Sequence, residues 1–328
     1  MKLIIQIPCY NEAETLKIAL GNLPREVDGF SKVEWLLIDD GSTDDSVAIA
    51  RECGVDHVVS FRKNQGLARV FMAGLAEAVL QGADVIVNTD ADNQYHSGDI
   101  PLLTAPILEG RADIVVGARP ISTIEHFSWI KKRLQNLGSW VVRKASGTDI
   151  PDAPSGFRAI SRDAAIQLNV FNSYTYTLET IIQAGLKNMA ILSVPIRVNP
   201  DLRPSRLIKS IPRYIRMSII TIFRIAIIYR PLEFFFMLGA TSFGAGFLIG
   251  IRWLIFFFMG EERTRIPSLI LATILILTGV FFVLFGILAD LVSTNRKIAE
   301  ENQYRLRRLE GELRRNPAKP QTIAEHRG

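Results

Sequence analysis

Cysteine is nearly missing from this 328-residue sequence, with Cys9 and Cys53 the only two. So few thiols in so long a chain exclude a disulfide-stapled scaffold, and neither has a CxxC partner or a His or Cys at zinc spacing. Both are expected to be reduced, buried small hydrophobes of a cytosolic region. Proline (15) and glycine (23) are too sparse for a fibrous chain, and a composition 48% hydrophobic and 22% charged excludes a disordered one. No internal repeat or low-complexity tract is present. No GxGxxG follows the first apolar run and no GxxxxGK followed by Ser or Thr occurs anywhere, which argues against a dinucleotide enzyme or a P-loop NTPase. The first apolar run is short and stopped by Pro8, so it is expected as a strand and not as a signal peptide.

Acidic residues are missing where basic ones gather. The formal net charge of +5 first suggests a nucleic-acid binder, and its distribution removes that reading. Residues 1–202 hold 19 basic and 24 acidic side chains, whereas 203–230 hold seven Lys or Arg and no acid. Residues 231–293 hold three basic and four acidic side chains, and the tail 294–328 holds nine and five. The positive charge flanks an apolar block, so the expected partner is a lipid bilayer and not nucleic acid.

Within that block, Ile266 to Ala289 is 24 residues without a charge, about 36 Å as a helix against a hydrocarbon core of roughly 30 Å. Phe234 to Ile251 is 18 more, and Trp253 to Met259 extends them past Arg252. Two membrane-spanning helices are therefore expected over 231–293. Arg252 either snorkels toward the far interface or faces the partner helix. The connection from Gly260 to Arg265 has no net charge while both outer flanks are basic, so the N-terminus, the first domain and the C-terminus are expected on the cytoplasmic side of the plasma membrane. In 203–230, Arg206, Lys209, Arg213 and Arg216 alternate with Leu207, Ile208, Ile211 and Ile215. This predicts amphipathic helices, divided at Pro212, lying in the headgroup layer; the alternative is a solvated face packed on the first domain. In the tail, Leu306, Leu309 and Leu313 predict a short amphipathic helix or an assembly motif.

Residues 1–120 alternate short apolar runs with helical patterns. Strands are expected at Leu3–Ile7, Trp35–Ile38, His57–Phe61, Val85–Asn88 and Ile114–Val116, with helices such as Thr43–Glu52 and Leu67–Leu80 between them. The rhythm implies an α/β fold, a mostly parallel sheet with helices on both faces, which binds ligands beyond the carboxyl ends of its strands. Three of those ends read Pro8-Cys9-Tyr10-Asn11-Glu12, Asp39-Asp40-Gly41-Ser42 and Asp90-Ala91-Asp92-Asn93-Gln94. Ser42 with Asp45 fits a capping box, which leaves Asp39 and Asp40 unexplained. Tyr10 and Asn11 also fit turn chemistry alone. Like charges gathered where a sheet opens are costly unless a cation or a donor-rich ligand compensates, so the three ends together point to a metal–nucleotide site.

The same three strand ends resemble the successive motifs of family 2 glycosyltransferases, whose fold is the Rossmann-like GT-A fold. Three further features resemble the polyprenyl-phosphate group within that family, that of dolichol-phosphate mannose synthase and GtrB-like enzymes. They are Asp152-Ala153-Pro154-Ser155-Gly156-Phe157-Arg158, in which Pro154 replaces the group's Thr, Arg203-Pro204-Ser205-Arg206, and the two C-terminal spans. The resemblance extends to about residue 294. It implies inverting transfer of one sugar from a nucleoside-diphosphate sugar to an undecaprenyl- or dolichyl-type phosphate at the cytoplasmic membrane face, with Mg²⁺ or Mn²⁺ as cofactor. Carried over residue by residue, Asp90 and Asp92 (the DXD motif) and Gln94 would hold the metal. Pro8, Tyr10, Asn11, Glu12, Asp40, Asp90, Arg203 and Arg206 would hold the nucleotide and its diphosphate. Arg119, Lys131, Arg133 and Arg158 would receive the acceptor phosphate, although the cluster Lys131-Lys132-Arg133 also reads as a solvated face. Asp92 and Asp152 are the expected catalytic carboxylates. For Asp152 two readings stand, one that orients or activates the acceptor phosphate and one as a structural partner of Arg158. His96 is read as a surface histidine, not a ligand. A homo-oligomer, a tetramer among the options, follows from the resemblance alone.

Two other functions fit parts of the pattern. A processive polysaccharide synthase is disfavoured because no QxxRW motif occurs and two spans are few for a translocating channel. A non-catalytic membrane scaffold is disfavoured by the intact acidic strand ends.

Overall fold

The computed structural model describes residues 1–120, 142–143, 146–170, 176–200, 220, 224, 227, 229–260 and 266–315, with the backbone alone for 307 and 310–315. The chain separates into two compact units, Met1–Ile215 with Asn302–Gly328, and Arg216–Glu301. The expected boundary at 202/203 and nearly all of the basic stretch after it lie outside the described residues.

The first unit is built on strands β1 (Lys2–Cys9), β2 (Lys32–Asp39), β3 (His57–Ser60), β4 (Val85–Asn88), β5 (Ile114–Ala118), β6 (Arg158–Ser161) and β7 (Ile191–Pro195). They form one sheet in the order β3-β2-β1-β4-β6-β5-β7. Only β6 runs antiparallel, to both β4 and β5. Around the sheet lie α1 (Ala13–Asn22), α2 (Ser46–Glu52), α3 (Leu67–Leu80), α4 (Ile100–Leu108), α5 (Arg162–Gln167) and α6 (Thr177–Leu186). The five expected strands are all present. The strands β6 and β7 fall outside the expectation, the first because it is an antiparallel insertion that a rhythm of parallel units does not foretell and the second because it is half exposed.

Parallel strands covered on both faces are apolar in every position rather than in alternate ones. Leu3, Ile4, Ile5 and Ile7 of β1 and Leu36, Leu37 and Ile38 of β2 are 0–1% exposed. Each such side chain contributes about 1.5–3 kcal/mol on burial. Helix α3 buries Val70, Phe71, Gly74, Leu75, Ala78 and Val79, a stripe of helical period laid on the sheet.

The chain runs outward from β1 to β2 and β3, then returns to β4 on the other side of β1. Strand order thus reverses between β1 and β4, and a crevice opens there at the carboxyl ends. Pro8 is tolerated in this central strand for the same reason. Gln6 O accepts from Thr89 on the β4 side and Cys9 O from Asp40 on the β2 side. Alternation puts Pro8 on the β4 side, where pairing has already ended at Gln6↔Asn88.

The second unit contains α7 (Pro231–Phe258) and the greater part of α8 (Ile266–Arg315), whose residues from Asn302 on belong to the first unit. Both are long and apolar enough to cross a membrane, and only 11% and 17% of their most apolar windows are buried. A core helix of a soluble protein would be mostly buried, whereas here Phe236, Leu248 and Phe258 are 59%, 67% and 79% exposed. The two helices meet through small residues. A Cβ at Gly239 would lie 2.8 Å from Gly279 O, and one at Gly246 2.8 Å from Ala272 O. Ser242 Oγ donates to Leu275 O across the pair at 2.8 Å. Arg252 is exposed, with its guanidinium 5.8 Å from the Phe256 ring. The short tail helix expected around Leu306 is instead the end of α8, which continues unbroken for 50 residues.

Candidate active site

Two loops at the crevice are stitched to one another. Asn11, in the left-handed region at φ 54°, donates its N–H to Ser42 Oγ at 2.9 Å and accepts from Thr43 N–H on Oδ1 at 2.8 Å. Glu12 N–H donates to Ser46 Oγ at 2.9 Å, and Ala13 N–H to Asp44 Oδ2 at 3.1 Å. These bonds overturn the capping-box expectation. Ser42 serves Asn11, the carboxylate that receives Ser46 N–H belongs to Asp44, and α2 begins at Ser46 instead of Thr43. Tyr10, between these stitched residues and β1, is 42% exposed.

Asp39 accepts Ser42 N–H and so forms the turn. Asp40, 4% exposed, accepts from Gln65 N–H at 2.6 Å and Gly66 N–H at 3.0 Å. Its carboxylate therefore holds the β3–α3 turn against the β2 end. Gly41 makes that approach possible, with φ at +75° and Lys63 C 2.9 Å from where a Cβ would stand.

After β4 the chain presents Asp90 and Asp92, both half-buried. Asp92 Oδ1 accepts from Gln94 N–H at 3.1 Å, which fixes the loop. The Asp90 carboxyl is pushed up to about 7, first by burial and next by the Asp92 charge, with Arg119 opposing and Glu12 adding to the rise. Two carboxylates in this relation are relieved by a divalent cation. Their hard oxygens suit Mg²⁺ or Mn²⁺ that completes its shell with substrate phosphates and water. No group of three or more His, Cys, Asp or Glu converges among the described residues, so a closed protein cage is absent there. The donor set fits an open, substrate-completed metal site.

Arg119, just past β5, reaches back to Asp152. Its Nε donates to Oδ2 at 2.7 Å, its Nη2 to Oδ1 at 3.0 Å and its backbone N–H to Oδ2 at 3.1 Å. The two side chains are 10% and 1% exposed. Asp152 is thus the partner of Arg119, and its expected pairing with Arg158 is corrected. Arg158 is fully buried, and burial pulls its guanidinium down to about 10. Its donors go to Ser155 O at 2.8 Å, Ala153 O at 2.7 Å and Thr180 Oγ1. That position ties the 152–158 turn to α6 and does not suit contact with an acceptor phosphate. Lys131, Arg133, Arg203 and Arg206 lie outside the described residues.

Three polar residues behind Asp90, namely Asn88, Tyr95 and Tyr176, were not among the sequence candidates. The one available signal was Asn88, an amide closing an otherwise apolar strand, since buried polar groups need partners. A cavity of about 640 Å³ lies against α1, lined by Asn22, Pro24, Asn93, His96, Pro101 and Asn199 among others. Neither Asp90 nor Asp92 lines it, so the chemistry is not there. His96 is partly buried, with Nδ1 sealed from solvent and without a partner. Cys9 is buried and Cys53 half-buried, both as free thiols.

The sequence model described as glycosyl transferase family 2 matches residues 4–168, just over half of the chain. Polyprenol monophosphomannose synthase of Mycolicibacterium smegmatis is 28% identical over 204 residues, 59% of this chain and 76% of that protein. Undecaprenyl-phosphate mannosyltransferase of Micrococcus luteus is 28% identical over 207 residues, 60% of this chain and 83% of the other. Among solved structures, glucosyl-3-phosphoglycerate synthase from Mycobacterium tuberculosis, crystallised with Mn²⁺, uridine diphosphate and phosphoglyceric acid, superposes with a TM-score of 0.54 at 20% identity. That match covers 67% of this chain and 78% of that one. It bears out the GT-A fold.

Proposed function

The chain belongs to glycosyl transferase family 2, and from that premise we propose that it moves a single sugar, with inversion, from a nucleoside-diphosphate sugar to a polyprenyl phosphate at the cytoplasmic membrane face. The observation that carries this reading is a buried guanidinium, Arg119, fixed by Asp152 in the field of the Asp90 carboxylate. A phosphate acceptor is already anionic at neutral pH. It needs a positive group to receive it more than a base to activate it. The pairing engages Nε and Nη2 of Arg119, and we assign Nη1 to the acceptor phosphate. Asp152, with both oxygens accepting from Arg119, is assigned as the group that orients this arginine and not as a proton acceptor. Lys131 and Arg133 are assigned to the same phosphate.

Asp90, Asp92 and Gln94 would hold Mg²⁺ or Mn²⁺, which neutralises the charge that develops on the diphosphate leaving group. Pro8, Tyr10, Asn11, Glu12 and Asp40 would frame the nucleotide, with Arg203 and Arg206 at its diphosphate. The acceptor class is supported by what the two relatives act on and by the two helices long and apolar enough to cross a membrane.

The test is direct. Membranes containing the protein are given undecaprenyl phosphate, Mg²⁺ or Mn²⁺ and a panel of radiolabelled nucleotide sugars, and the lipid extract is analysed. A one-sugar lipid is expected, and Asp92→Ala should lower its formation by at least about 100-fold without unfolding the protein. Near-normal turnover by that variant, or a polymeric product, would overturn the proposal.

A further inference from the structure

The Asp90 carboxylate rests on a stretch of backbone. A Cβ added to Gly156 would stand 3.3 Å from both Asp90 Oδ1 and Oδ2, and 3.0 Å from Tyr176 Oη. Gly156 is not among the glycines with positive φ, so closeness and not torsion calls for glycine here. The peptide groups on either side of it are both held. Its N–H donates to Tyr95 Oη at 2.9 Å, and its carbonyl accepts from Asn88 Nδ2 at 2.8 Å. Asn88 precedes Asp90 by two residues and Tyr95 follows it by five. The loop carrying Asp90 and Asp92 is therefore fastened at both of its ends to the same glycine.

The fastening groups are themselves fixed. Asn88 Nδ2 also donates to Tyr176 Oη at 3.0 Å, and its Oδ1 accepts from Gln6 Nε2 at 2.8 Å. Tyr95 stacks on Phe157 with centroids 5.0 Å apart, and Tyr176 on Phe71 at 3.8 Å. Gln6, Asn88, Tyr95 and Tyr176 are all 4% exposed or less. A buried polar network is costly when partly satisfied, and where its bonds are made it holds one geometry.

We propose that Asn88, Tyr95 and Gly156 form a clamp that sets the position and orientation of the Asp90 carboxylate for a divalent cation. Asn88 and Tyr95 are its positioning residues and Gly156 its floor. The inference rests on the reading of Asp90 and Asp92 as metal ligands. The clamp acts on cation affinity, through the direction in which the carboxylate oxygens point.

The experiment uses the full chain in detergent, with Mn²⁺ alone as the probe, free Mn²⁺ followed by electron paramagnetic resonance and thermal unfolding measured in parallel. Tyr95→Phe keeps the ring on Phe157 and removes the acceptor of Gly156 N–H. Gly156→Ala puts a methyl against the carboxylate. Each should weaken Mn²⁺ binding about tenfold, and either variant suffices if the other does not fold. Thr104→Val removes a buried hydroxyl that bonds Ile100 O at 3.2 Å on helix α4 and should lower stability without moving Mn²⁺ affinity. An equal shift in Thr104→Val, or wild-type affinity in Tyr95→Phe and Gly156→Ala while Asp92→Ala loses it, would overturn the clamp and leave the metal site standing. Wild-type affinity in Asp92→Ala, or no binding by the wild type, would instead remove the metal reading and the clamp with it.

Discussion

Below pH 7 Asp90 carries a proton that a cation must displace, because its carboxyl is pushed up to about 7 from an ordinary value near 3.8. Apparent Mn²⁺ affinity should therefore fall as pH drops through 7 toward 5 and level off above about 8. A titration across that range checks it, and an affinity that is flat from pH 5 to 8 would contradict it. In the metal-free protein the dependence on pH runs the other way. A raised carboxyl contributes stability below about pH 4 that is lost as pH rises through about 7, where binding of a cation offsets the loss. Which residues carry this chemistry was partly legible in sequence. Asp90 and Asp92 declare themselves as acids beyond a strand end. Arg119 and Asp152 lie 33 residues apart, and no local pattern announces that they pair. Arg158 shows the opposite failure, since an arginine in a loop motif looks available to phosphate until burial is known.

Helices α7 and α8 were legible as charge-free runs, because length and polarity alone decide whether a helix can span a bilayer. Their packing is finer. Gly239 faces Gly279 O at 2.8 Å from an added Cβ, so Gly239→Leu has to force the helices apart. Overpacking of this kind costs about 1–3 kcal/mol. Thermal unfolding in detergent should register it, whereas Gly244→Leu, with nothing within 4 Å of its Cβ, should be nearly neutral. The reach of α8 was misjudged from composition. Polarity changes after Ala289, but no proline or glycine stands between Asp290 and Glu310, and Arg296 forms an ion pair with Glu300 one turn on, at 3.0 Å. A change of polarity does not stop a helix. The start of α2 failed for the converse reason. Ser42 and Thr43 looked like the first turn of a helix, yet their polar groups are taken by Asn11 from another loop.

At the scale of the whole chain, an acidic α/β body and an apolar hairpin bordered by basic residues were both readable from charge counted by segment. Large apolar side chains left open on α7 and α8 should hold the protein in the bilayer. Carbonate extraction at alkaline pH should leave it in the membrane pellet, and its release to the supernatant would count against the spans. Sheet order was legible only in part, because β6 is inserted antiparallel between β4 and β5, and a rhythm of parallel units does not foretell an insertion. That insertion also sets an order of events during synthesis. Strand β5 ends at Ala118, and the neighbour that joins it to β4 begins 40 residues later at Arg158. A nascent chain of 120 residues already contains Asp90 and Asp92, yet it has nothing to close the open edge of β4 and no glycine beneath the carboxylate. Chain order lets that closure follow Ser161 and still precede residue 231, so the catalytic body can finish folding before the first span leaves the ribosome.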